Sequence, residues 1–216
     1  MVDLSGADFS PTGSAPKLNL AYITTAFSYD RRDSLLNPTR GHFFSLSFQH
    51  AAAFLGSEVN FSRIYSEYNR YININRFLIG AMSVKIGLGR GLGQKDLPGE
   101  RFYAGGSTTL RGFKENFVGP LDLATGLPLG GESLFILKQE LRAHLHKLFS
   151  LVLFADFGNV YNRAGDLDML NLRKSIGFGI RLHTAPLLLR LDWGFKLNRL
   201  PDESPSRIYL SIGQAF

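Results

Sequence analysis

The stretch Lys174-Ser175-Ile176-Gly177-Phe178-Gly179-Ile180-Arg181-Leu182-His183 decides how this chain folds. Ile176, Phe178, Ile180 and Leu182 fall on one side, and Ser175, Gly177, Gly179, Arg181 and His183 on the other. Strict alternation of this kind is the period of a strand. A helix, at about 3.6 residues per turn, would scatter the same side chains around its axis.

The pattern spreads in both directions. Downstream, Leu187, Leu189, Leu191, Trp193, Phe195 and Leu197 oppose Arg190, Asp192, Gly194, Lys196 and Asn198, and Ile208, Leu210, Ile212 and Phe216 oppose Tyr209, Ser211 and Gly213. Upstream, Leu151, Leu153, Ala155 and Phe157 oppose Phe154, Asp156 and Gly158. Phe135, Leu137, Leu141 and Ala143 oppose Lys138, Glu140, Arg142 and His144. Leu78, Met82, Val84, Ile86 and Leu88 oppose Ala81, Ser83, Lys85 and Gly87. Leu18 to Asp30, His42 to Ala52 and Val59 to Ile72 read as strands of less certain facing, which makes nine in all. Turns are expected at Asn37 to Gly41, Asn73 to Asn75 and Pro201 to Pro205. Residues 1–16, rich in Ser, Gly and Pro, read as a flexible leader, and residues 17–216 as one domain.

Composition agrees with a sheet protein. Among 216 residues there are 23 Gly and 18 Phe, a mixture that suits tight turns and ring girdles better than a helical bundle. Cys is absent, so disulfides, thiolate metal sites and a Cys nucleophile are excluded. The net charge of +6 comes without a dense Lys/Arg run, so no nucleic-acid patch is nominated. No apolar run is long enough for a membrane helix. The first residues lack a basic region followed by an apolar one, so a signal peptide is absent from this chain.

Two architectures can use these strands. A soluble sandwich buries the apolar faces, whereas a membrane barrel turns them to lipid and lines its lumen with the polar ones. Strands of about 10–13 residues are long for a soluble sheet and match a tilted membrane span. Charges are sorted onto one face, as they must be if Lys or Arg facing hydrocarbon at mid-depth costs about 2–4 kcal/mol. Tyr71, Phe77, Phe149, Tyr161 and Trp193 lie near strand ends, where interfacial rings belong. The barrel is the reading that fits, and it requires Lys138, Glu140, Arg142, Asp156, Arg181, Arg190 and Asp192 to be paired or hydrated inside it.

One connection breaks the hairpin pattern: residues 91–131 hold no convincing strand, and a loop of that length is usually functional. It contains Phe102-Tyr103-Ala104-Gly105-Gly106-Ser107-Thr108-Thr109-Leu110-Arg111-Gly112-Phe113, followed by Val118-Gly119-Pro120. This segment resembles the long sixth extracellular loop of the BamA/TamA superfamily of outer-membrane assembly and translocation barrels. Gln139-Glu140-Leu141-Arg142, Phe154 to Tyr161, Gly177 to Arg181, Leu189 to Asp192 and the ending Ile212 to Phe216 resemble the strands that follow it. Asp30-Arg31-Arg32-Asp33 with Asn37 to Gly41 is similar to a hairpin of the family.

The resemblance implies an all-β, transmembrane, antiparallel up-and-down barrel, which in the family has sixteen strands and usually follows POTRA domains; this sequence departs from it with about 8–10 strands, half that size, and no POTRA domains. An odd count leaves several accounts open: a miscounted early strand, a tenth in residues 1–16, two chains combining as a homo-oligomer, or a fragment. It also implies that Arg111, in Leu110-Arg111-Gly112-Phe113, folds into the lumen and pairs with Glu140 and Asp156. A planar guanidinium can hold two carboxylates at once. The last strand, with Tyr209, Ile212, Gly213 and Phe216, would be the signal read by the barrel-assembly machinery. The implied location is a bacterial outer membrane, and the implied partners are its lipid and lipopolysaccharide, that machinery, and unfolded outer-membrane clients.

The function implied is insertion of other barrels or translocation of polypeptide, by strand pairing and not by covalent chemistry. A small structural or channel-type barrel is the alternative, and an outer-membrane hydrolase a third. No catalytic set, cofactor or metal site is nominated. His144 and His146 share a face without a third ligand, and Gly87 to Gly93 lacks the Gly-Lys-Ser/Thr of a phosphate loop.

Overall fold

The computed structural model describes residues 18–92, 98–146, 148–184 and 187–216. The expected leader at residues 1–16 and the end of the glycine run at Gly93 lie outside the described residues. Nine antiparallel strands form one sheet in sequence order: β1 (Tyr22–Asp30), β2 (Gly41–Ala51), β3 (Phe61–Asn75), β4 (Leu78–Arg90), β5 (Ser133–His144), β6 (Phe149–Tyr161), β7 (Arg173–Thr184), β8 (Leu187–Lys196) and β9 (Ser206–Ile212). Every neighbouring pair is consecutive in the chain, so the topology is up-and-down throughout.

The faces are inverted relative to a soluble protein. On β7 and β8, Ile176, Phe178, Ile180, Leu191 and Trp193 are 40–48% exposed, while Ser175, Arg181, Arg190 and Asp192 are at most 2% exposed. Leu151 and Leu153 stand outside on β6, with Ser150, Val152 and Asp156 inside. A surface this apolar over a charged interior is the distribution of a sheet whose outer side meets hydrocarbon.

The strand count is the expected one, but the sheet is open. Among the described residues β1 and β9 are its two edges, and each pairs on one side only. Every residue of β1 is exposed. A closed barrel of about eight strands is filled by its own side chains. Here the concave side must also hold the long loop, which needs a wider curve.

Three expectations are corrected. β3 runs through Asn75 with a bulge between Asn73 and Asn75, so the turn is at Arg76–Phe77 and not at Asn73 to Asn75. Tyr71 is no interfacial ring: it lies on the inner face, 1% exposed. The last strand stops at Ile212, where Gly213 takes a φ of +89°, and the tail leaves the sheet. Phe216 therefore does not share the outer face with Ile208, Leu210 and Ile212.

Candidate functional site

The connection between β4 and β5 is ordered where described, and it fills the concave side of the sheet. Isolated bridges Phe102↔Gly131, Ala104↔Val118 and Leu121↔Pro128 fold it back on itself as a long irregular hairpin. Sequence reading found no strand here because bridges of one residue carry no alternation. Its apolar side packs Phe102, Ala104, Leu110, Phe113 and Val118 against Phe61, Leu134, Ile136 and Val160 of the wall. This is the protein's apolar core, and it sits between loop and sheet instead of between two sheets.

Glycines on the inner face make the room. A Cβ on Gly87 would stand 2.6 Å from the Phe102 ring, and one on Gly194 would stand 2.6 Å from the Gly112 nitrogen. Gly112 itself has a φ of +95°, a left-handed conformation that other residues seldom adopt. Backbone thus lies directly on backbone where Arg111 and Gly112 cross β8, and the Arg111 side chain is aimed along the wall.

Arg111 is fully buried and meets three carboxylates. Its Nε and Nη2 donate to the two oxygens of Asp156, each at 2.7 Å, and its backbone N–H donates to Asp156 Oδ2 at 3.1 Å. Nη1 donates to Glu140 Oε1 at 2.5 Å and lies 3.7 Å from Asp192 Oδ2. The guanidinium carbon rests 3.6 Å from the centre of the Phe154 ring. Burial alone would lower the pKa of this guanidinium, but the charges of Asp156 and Glu140 outweigh it and hold it above its ordinary value.

The acids are shared with the wall. Arg142 Nε donates to Glu140 at 2.8 Å, and Arg181 Nη1 donates to Asp192 at 2.6 Å. Arg190 Nε lies 3.4 Å from Asp192, and its Nη2 donates to the Ser107 carbonyl at 3.3 Å. Lys138 Nζ donates to the Thr108 carbonyl at 3.0 Å and to the Ala215 carbonyl at 3.1 Å. One network therefore ties the loop tip to β5, β6 and β8 and to the tail.

The structure brings Arg111, Glu140 and Asp156 together, with Leu110 and Phe113 buried on either side. It adds two groups the sequence reading did not assign to Arg111. Asp192 was placed on the inner face, and its alternation with Arg190 was the available signal. Phe154 belongs to that face too, but nothing in a period of two says that a ring will lie beneath a guanidinium. Of the C-terminal residues, Tyr209 donates its hydroxyl to the Phe113 carbonyl, Ile212 is exposed, and Gly213 turns the chain inward. Phe216 stacks on Tyr71 at 6.1 Å between ring centres, and its carbonyl accepts from the Tyr71 hydroxyl at 2.9 Å. Gln214 Nε2 donates to the Leu36 carbonyl and Asn37 Oδ1 in the β1–β2 turn. No group of three metal-ligating side chains occurs among the described residues. His144 and His183 instead flank Ser150, with ring nitrogens 2.7 and 2.8 Å from its Oγ.

Comparison with known proteins gives consistent relatives. The chain is 28% identical over 204 residues to the outer membrane protein assembly factor BamA of Nitratidesulfovibrio vulgaris, covering 88% of this chain and 25% of that protein. It is 31% identical over 199 residues to a SAM50-like protein of Schizosaccharomyces pombe, covering 86% of this chain and 41% of that one. The chain thus spans less than half the length of these relatives. In architecture it matches BamA from Haemophilus ducreyi lacking POTRA domains 1-3, with a TM-score of 0.75 at 17% identity over 89% of this chain and 42% of that one. The Omp85 superfamily domain matches residues 9–216, and with the up-and-down sheet and its inverted faces this establishes that the chain belongs to the Omp85 superfamily.

Proposed function

We propose that this chain forms part of a bacterial outer-membrane barrel that helps other barrel proteins insert and fold. The observation that carries the reading is the loop tip locked to the wall through Arg111, Glu140 and Asp156. Such a buried network contributes little net stability for its desolvation cost, and it is suited to fixing one geometry. Held there, the loop keeps the inner face filled while an incoming strand adds at an edge of the sheet, β1 or β9 among the described residues. Relatives named as an outer membrane protein assembly factor and as SAM50-like support the same role.

The inner face also weighs against an open channel. Loop and charged side chains cover the concave side from β4 to β8. The terminal residues remain proposed as the signal for the cell's barrel-assembly machinery. For that signal to be read as a strand, the tail must leave Tyr71 and Lys138 and extend β9.

The test is a vesicle assay. Full chain is reconstituted in phosphatidylcholine vesicles, and the folding rate of a small unfolded outer-membrane barrel is followed by its gel-mobility shift. Faster client folding with the wild-type chain than with Arg111→Ala supports assembly activity. Equal rates in both and in protein-free vesicles leave only a structural barrel.

A further inference from the structure

At the loop-side end of the sheet, three arginines converge on a cavity of about 530 Å³ also lined by Glu132 and Asn162. They come from different parts of the chain: Arg90 ends β4, Arg101 enters the long loop, and Arg163 follows β6. The ladder carries β4, β5 and β6 together as far as Leu88, Ser133 and Tyr161, so Arg90 and Arg163 each stand two residues beyond a paired position at this end of the sheet. Gly131 leaves the ladder there and exchanges both backbone hydrogen bonds with Phe102.

A Cβ on Gly131 would lie 2.1 Å from the Tyr161 carbonyl oxygen, and the residue bridges to Phe102, which brings Arg101 alongside. Arg101 donates through Nη2 to Asn162 Oδ1 at 3.0 Å, while its buried Nε has no hydrogen-bond partner. None of the three guanidiniums forms an ion pair among the described residues. Three cations line one cavity with one carboxylate, and an anion would relieve them. Planar guanidiniums offering paired donors fit the oxygens of a phosphoryl group.

The position says where the anion comes from. Arg90, the last residue of β4, has the outward parity of Leu88, so the cradle borders the end of the apolar outer face. Acyl chains can run beside Leu88 while the headgroup sits among the arginines. We infer that Arg90, Arg101 and Arg163 form a binding site for the phosphoryl headgroup of an anionic lipid. This inference rests on the membrane reading of the outer face.

The experiment uses full chain folded in a maltoside detergent, which carries no phosphate, with lipid adducts counted by native mass spectrometry. Phosphatidic acid is expected to be retained over phosphatidylcholine. The paired variant Arg90→Gln/Arg163→Gln should weaken that retention by roughly tenfold or more, as expected for losing charge-assisted hydrogen bonds. Arg76→Gln, at the opposite rim, should leave it unchanged. Both arginines of the paired variant are exposed, and an unchanged β-sheet circular dichroism spectrum verifies that it folds. Retention that ignores the paired variant, or that does not distinguish the two lipids, overturns the site. Inorganic phosphate displacing the lipid at equal concentration overturns the lipid assignment. Flotation of the chain with phosphatidylcholine vesicles is measured separately: failure there breaks the membrane reading, whereas flotation with variant-insensitive retention breaks this inference alone.

Discussion

Replacing Arg111 by alanine would leave Glu140 and Asp156 buried with much of their compensation gone. Removing one partner of a buried pair typically costs about 3–5 kcal/mol. We expect Arg111→Ala to speed protease cleavage between residues 98 and 131, read by gel or mass spectrometry, while the strands stay resistant. Unchanged cleavage would mean that the network does not hold the loop. Arg111→Lys should rescue only part of the protection, because an ammonium cannot span both oxygens of Asp156 while also reaching Glu140. These residues were legible in the sequence through their parity on the strands and the resemblance of the loop motif. Asp192 and Phe154 were legible only as inner-face residues, since alternation assigns a side and not a partner. Tyr71 was misread because ring residues near strand ends serve both as girdle and as lining.

At the scale of elements, the docking of loop on wall depends on small residues in β4 and β8. Gly194→Ala would place a methyl group 2.6 Å from the Gly112 nitrogen and should lift the loop tip. The expected outcome is faster cleavage of the loop with the sheet's circular dichroism unchanged; a loop as protected as in wild type would contradict the close approach. The tail makes a second docked element. Tyr71→Phe removes the hydrogen bond to the Phe216 carbonyl, and a cost of about 1 kcal/mol in denaturant unfolding is expected. No change would place the tail outside the folded core. Strand positions were legible almost throughout, because an outer face in lipid and a charged inner face impose strict alternation. The end of β9 was not, since Gly213 reads equally well as a strand residue or as a turn, and only its partners across the sheet decide.

For the whole molecule, the sorting of side chains is what the family relationship and the proposed role both require. The central claim is that Ile176, Phe178 and Leu191 face hydrocarbon while Ser175 and Asp192 face the interior. An arginine at Leu191 should then cost about 2–4 kcal/mol of folding stability in bilayers, measured by urea titration. The openness of the sheet was not legible, because alternation specifies each strand's two sides and says nothing about whether the first and last strands meet. The chain lacks cysteine, so the most direct measurement needs no background substitutions. Single cysteines at positions 176, 178 and 191, and at 175 as the inward control, would carry a fluorophore in reconstituted vesicles. The account predicts that lipid-borne quenchers reach the fluorophore at 176, 178 and 191 and spare 175. A chain that stays dissolved without detergent, with those three positions shielded from every quencher, would contradict it.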